Sequence, residues 1–224
     1  MGKISCILTI ENSALVDNNL DMINTLAEQD VKIMSLTWND PNCIGQNHSK
    51  EQDKMELPLT DFGREAILRM NDCGIVVDVS HLNDGGFYDV ARISRKPFVA
   101  THSNARSLSP HTRNLTDDMI KILGEKGGVT GLNFCGAFLN EDIDKEASLV
   151  ERMCDHVEHI RKVGGDDVIA IGTDYDGGIF EQEISSCDKI GMLFDGLKKR
   201  GFSDDLLDKF MYKNVERVLK ECWK

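Results

Sequence analysis

The sequence lacks most of the features that would assign a 224-residue chain at a glance. No apolar run approaches the roughly 18 residues needed to cross a bilayer, so no membrane association is expected. Cationic charge is scarce. Lys and Arg total 26 against 38 Asp and Glu, a formal net charge of −12, which argues against nucleic acid or an anionic membrane surface as the partner. Seven cysteines, at 6, 43, 73, 135, 154, 187 and 222, are scattered and odd in number, with no Cys-x-x-Cys pair. That spacing excludes a disulfide framework and a zinc ribbon, and a reducing, cytoplasmic setting is expected. Residues 1–6 hold one lysine but no long apolar stretch or small-residue cleavage site, so no secretory leader is expected. No Gly-x-Gly-x-x-Gly follows the first apolar run, and His-Glu-x-x-His occurs nowhere. A dinucleotide-binding half and a zincin helix are thereby disfavoured.

What the sequence does contain is an alternation. Short, β-branched apolar runs occur at Ile4–Ile10, Val31–Thr37, Ile75–Val79, Phe98–Thr101, Val129–Phe134 and Val168–Gly172. Between them lie stretches with helical spacing, such as Leu20/Ile23/Leu26, Phe62/Ala66/Ile67/Met70 and Met153/Val157/Ile160. Thr60 and Thr116 stand where helix N-caps belong, and Gly74, Gly127 and Gly164–Gly165 where helices end before strands. Helix, glycine and strand repeated in this way predict a parallel β/α architecture, either a doubly wound sheet or a (β/α)8 barrel. A single domain over residues 1–224 is expected.

In such folds the chemistry gathers at the carboxyl ends of the strands. Reading those ends gives Glu11, His81, His102 and Asp174, a carboxylate-and-imidazole set that suits zinc, or manganese, iron or cobalt. Each residue also has a bland reading. Glu11 could cap the next helix, a lone strand-end His is commonly a satisfied loop residue, and Asp174 with Asp176 could shape a turn before Gly177. Arg113, in the loop after the His102 strand, could clamp a carboxylate through two parallel hydrogen bonds, or pair with Asp117 or Asp118. His48 falls in a polar loop and is expected to be solvated. His156 and His159, flanked by Glu158 and Arg161, are expected on an exposed helical face.

Several blocks together are more specific. They are Leu59-Thr60-Asp61-Phe62-Gly63-Arg64, Val77-Asp78-Val79-Ser80-His81, Ala100-Thr101-His102-Ser103-Asn104-Ala105-Arg106, Arg113-Asn114-Leu115-Thr116-Asp117 and Gly172-Thr173-Asp174-Tyr175-Asp176-Gly177. With them the chain resembles the membrane (renal-type) dipeptidase family, the M19 metallopeptidases, from about residue 5 to Val218. The resemblance implies a (β/α)8 TIM-type barrel hydrolysing dipeptides with metal-activated water at a two-zinc centre. It implies that Glu11 bridges the metals, that His81 and His102 complete one zinc site, that Asp174 assists proton transfer and that Arg113 holds the substrate carboxylate.

The departures from the family pattern are equally specific. The family's first zinc uses a His-x-Asp pair upstream of the glutamate, and no His-x-Asp occurs in this sequence. Six β runs are found where a closed barrel needs eight, so an incomplete barrel lacking the family's N-terminal part is expected. Asn12-Ser13 replaces a Gly-Gly pair, Trp38 replaces a substrate-binding histidine of mammalian members, and the loop after Asp176 looks shortened. Three functions stay open at this point. One is a zinc-dependent dipeptidase. Another is a catalytically incomplete fragment or pseudoenzyme that binds one metal. The third is another amidohydrolase-like metal enzyme. Open strand edges favour self-association, so a homo-oligomer or a separate N-terminal fragment is the expected protein partner.

Overall fold

The computed structural model describes residues 5–140, 148–178 and 182–223. Among the described residues there are six strands: β1 (Leu8–Ile10), β2 (Val31–Ser35), β3 (Val76–Asp78), β4 (Val99–Ala100), β5 (Val129–Leu132) and β6 (Ile169–Ile171). They form a parallel sheet in the order β1-β2-β3-β4-β5-β6, with helices between successive strands. Sequential parallel order is the winding of a (β/α)8 barrel, and among the described residues no pairing closes the sheet. The fold is thus the incomplete barrel type anticipated from the strand count. The chain divides into two compact units, the first comprising the described residues up to Val99 and those from Leu219 onward, the second Ala100–Val218.

In the first unit the register aligns Ile10 with Met34 and Ser35 with Asp78, which brings the carboxyl ends of β1, β2 and β3 to one edge. Its helices are α1 (Leu20–Glu28), α2 (Gln52–Met55), α3 (Asp61–Cys73) and α4 (Asp84–Ile93). Thr60 Oγ1 accepts a hydrogen bond from Gly63 N–H at 2.8 Å and starts α3, while Gly74 at φ 75° ends it in the left-handed conformation that glycine adopts without cost. Between those caps the i, i+4 and i+8 residues Gly63, Ile67 and Asn71 share one buried face with Ala66 and Met70. Each fully buried aliphatic side chain of this kind stabilises the unit by about 1.5–3 kcal/mol. Every residue of β3 is buried, whereas β1 leaves Leu8 53% exposed.

The second unit holds α5 (Asp117–Glu125), α6 (Gly136–Leu139), α7 (Leu149–Gly164), α8 (Gly191–Lys199), α9 (Asp204–Asp208), a π turn at Lys209–Lys213 and the start of α10 (Asn214–Cys222). Thr116 caps α5 and Ser203 caps α9, each accepting from the N–H three residues on. Between α7 and α8, Arg200 reaches Glu151, Asp155 and Glu158 at 2.6–2.7 Å. The strand interior is tight here. A Cβ on Gly131 or on Gly172 would come within 2.0 Å of the Thr101 carbonyl oxygen, so both positions admit only glycine without backbone movement.

One expectation about α7 is corrected. His156 is 1% exposed, not on an open face. The buried stripe of α7 is Met153, Val157 and Ile160, and residue 156 lies within it at the i+3 position. His156 is tolerated there because both ring nitrogens are used. Nδ1 accepts from Ala105 N–H at 3.1 Å, and Nε2 lies 3.1 Å from Leu139 O. Burial drives its pKa down to about 4, so the ring is neutral at physiological pH.

Candidate metal centre

In the first unit the strand ends position Glu11 and His81. Glu11 follows β1 directly, and the chain then turns through Asn12 at φ 75°, a left-handed conformation that asparagine tolerates better than most residues. This backbone requirement explains why Asn can stand where the resembled family has glycine. The Asn12 side chain secures the turn by accepting from Ala14 N–H at 3.1 Å and from Asn42 Nδ2 at 2.9 Å. Ser13, fully buried, donates to Ser35 O at 2.7 Å, and the Ser35 hydroxyl donates in turn to Asp78 Oδ2. Asp78 Oδ1 accepts from Ser80 N–H at 2.9 Å and so shapes the turn that carries His81, itself at φ 68°. The chain of bonds Ser13–Ser35–Asp78 thus ties the β1, β2 and β3 ends together. It leaves His81 Nε2 3.2 Å from Glu11 Oε1.

Two further rings stand at His81. His48 donates its backbone N–H to His81 O at 2.7 Å, with the ring centroids 6.2 Å apart, and Trp38, 43% exposed, lies 6.5 Å away. The expectation of a solvated His48 therefore gives way to a half-buried one at the centre of this edge. The polar loop at 45–54 concealed it, since an isolated β-bridge from Asn47 to Leu82, distant in sequence, is what draws the loop in.

The second unit holds His102, Arg113 and Asp174. His102 is 8% exposed, with its Nδ1 2.8 Å from the Thr101 hydroxyl, so ligation through Nε2 keeps that bond intact. Arg113 is buried. Its guanidinium donates to Ser103 Oγ at 3.3 Å and His102 O at 3.2 Å and stacks over Phe138 at 5.6 Å. Asp117, one of the two acids considered for Arg113, instead accepts from His159 at 2.8 Å and from Ser107 at 3.0 Å. The hydrogen bond from His159 holds its carboxyl below the usual range. Asp174 sits at φ 60° in the turn after β6, whose Gly177 N–H returns to Asp174 O at 3.1 Å. The reading of Asp174 as a turn-shaping residue before Gly177 is met by this geometry. Tyr175 anchors the same loop, its hydroxyl 2.8 Å from Ile184 O, and burial pushes the phenol pKa up.

Among the described residues, Glu11, His81 and His102 are the set whose side-chain types could hold a metal ion. One carboxylate and two imidazoles are borderline donors of the kind zinc accepts. 

Comparison with known proteins identifies the family. The model of the membrane dipeptidase family, peptidase family M19, matches residues 1–223. A Klebsiella pneumoniae protein described as "Uncharacterized protein in pqqA 5'region" is 36% identical over 166 residues, 74% of this chain and 61% of its own length. Mouse Dipeptidase 3 is 28% identical over 98% of this chain and 45% of its own. A Rhodobacter sphaeroides metallopeptidase, solved with a phosphinate mimic of the dipeptide L-Ala-D-Ala, superposes with a TM-score of 0.90 at 32% identity, covering 97% of this chain and 63% of its own. The chain therefore spans about half to two thirds of the length of these relatives. The near-complete match of the family model establishes that this chain belongs to the membrane dipeptidase family, peptidase family M19.

Proposed function

We propose that this chain carries the zinc-binding and proton-transfer half of a dipeptide-hydrolysing centre. The observation that carries the reading is the 3.2 Å approach of Glu11 Oε1 to His81 Nε2 past the ends of β1 and β3, whose turns are tied together by the buried Ser13–Ser35–Asp78 bonds. Glu11, His81 and His102 would hold the ion, His102 through Nε2. When bound, zinc supplies Lewis acidity toward the scissile carbonyl and the attacking water. Asp174 accepts the proton that the water gives up and returns it to the leaving amine. Arg113, already braced against Ser103 and Phe138, presents its guanidinium to the substrate carboxylate. The solved relative bound to a dipeptide mimic supports dipeptides as the substrate class.

A second reading rests on one feature of the sequence. Without a His-x-Asp pair, these three residues support one metal, and ligands for another would have to come from outside the 224 residues. The exposed β1 edge, with Leu8 open to solvent, suits a second copy of the chain or a separate N-terminal fragment. A single experiment separates the readings: load the full chain with zinc, count bound metal by mass spectrometry, and assay dipeptide hydrolysis in parallel. Dipeptidase function predicts turnover. One metal without turnover supports the incomplete module instead, and metal retention in the H81A/H102A double variant refutes the ligand assignment itself.

A further inference from the structure

Asn133, the first residue past β5, is fully buried and uses its polar atoms in an order that fixes its orientation. Its Oδ1 accepts from the Cys135 backbone N–H at 2.8 Å. A backbone N–H can only donate, so the amide cannot be turned over, and Nδ2 must be the atom facing Asp174 Oδ2 at 3.1 Å. The backbone is pinned as firmly, because Asn133 N–H donates to Asn104 Oδ1 at 2.8 Å and Asn133 O accepts from Asn104 Nδ2 at 3.0 Å. Asn104 lies two residues after His102, and its own N–H donates to the side chain of Asn114, the neighbour of Arg113, at 3.3 Å. Asn104 and Asn114 both donate to Phe138 O, beneath the ring on which Arg113 stacks. Three buried asparagines thus interlock, and each touches or adjoins one of His102, Arg113 and Asp174.

We propose that Asn133 is the positioning residue for Asp174, its amide donating to one carboxylate oxygen so that the other is presented for proton transfer. The proposal rests on the reading of Asp174 as the proton-transfer group. Turn formation at Cys135 needs only an acceptor, which Asp or Ser would supply as well; the donor aimed at Asp174 is what requires asparagine. Asp174 also occupies a left-handed backbone that its neighbours must enforce, which makes an external brace necessary.

The test uses the full-length chain and the variants N133D and N133A. N133D keeps the shape and the acceptor for Cys135 N–H but sets a carboxylate against Asp174. A lost bond to a charged group predicts that kcat falls about 10- to 100-fold while KM changes less than about twofold. Unchanged kcat in a folded N133D overturns the proposal. Carbon NMR supplies a readout independent of turnover. The Asp174 carboxyl resonance, identified by its loss in D174N, shifts in N133D and N133A if the bond exists and stays if it does not. Should neither Asn133 variant fold, the Asn133 side-chain amide resonances decide the point from the other side, moving between wild type and D174N or remaining fixed. A chain with no dipeptide turnover but coupled resonances refutes the dipeptidase reading alone, whereas turnover with uncoupled resonances refutes the positioning role alone.

Discussion

Acidification should unfold the second unit partly through one side chain. His156 is neutral and buried with a pKa of about 4, against 6.5 for an unperturbed imidazole. Below pH 6.5 the unfolded chain therefore binds a proton that the folded chain refuses, and stability falls as pH falls until about pH 4, where both forms are protonated. At pH 7 this linkage is negligible; at pH 5.5 it reaches about 1 kcal/mol and at pH 4.5 about 2–3 kcal/mol. Carboxylates titrate in the lower part of the same range, so the measurement must be a difference. Urea unfolding of wild type and H156Q at pH 7.0, 5.5 and 4.5 isolates the histidine. H156Q should be the less stable protein at pH 7, by about 1–3 kcal/mol, because glutamine cannot serve both Ala105 N–H and Leu139 O. That deficit should shrink by about 2 kcal/mol on going to pH 4.5. Parallel pH dependences for the two proteins would refute a buried neutral His156.

Other perturbations have equally definite outcomes. G131A or G172A drives a methyl against the Thr101 carbonyl and should lower stability by about 3 kcal/mol, whereas G191A, whose added methyl meets nothing within 4 Å, should be neutral or slightly stabilising in the same melts. R200M, which leaves Glu151, Asp155 and Glu158 without their common cation, should cost about 1 kcal/mol at low ionic strength and less in 1 M salt. H159A should return the Asp117 carboxyl upward toward the ordinary range, read by carbon NMR titration, because the bond from His159 is the main cause of its depression.

The sequence and the structure agree most closely where periodicity and capping carry the information. All six apolar runs contain a strand, shortened at one or both ends; Ile4–Ile10, for instance, reduces among the described residues to Leu8–Ile10. The ends shorten because hydrogen-bond pairing, which apolar patterning does not record, stops where the loops depart. Thr60, Thr116 and Gly74 were legible as helix boundaries since their roles follow from local chemistry. Glu11 and His81 could be placed at one edge because strand alternation fixes which ends coincide. His48 and Asn133 could not. His48 reaches its place through a bridge between Asn47 and Leu82, and Asn133 acquires a role only through partners 29 and 41 residues away in the chain. His156 is hidden from the sequence for a related reason: its charged neighbours on α7 mask a buried position whose partners lie 51 and 17 residues away.

Asn12, His81 and Asp174 adopt left-handed backbone angles without being glycine. Such conformations cost about 1 kcal/mol or more each for ordinary side chains. A population of variants propagated only for solubility and fold should therefore drift toward glycine at 12, 81 and 174 while leaving Gly131 and Gly172 untouched. A population propagated for metal binding should hold the histidine at 81 against that drift. The residues retained against their own backbone preference would then mark, by heredity alone, what this protein is kept for.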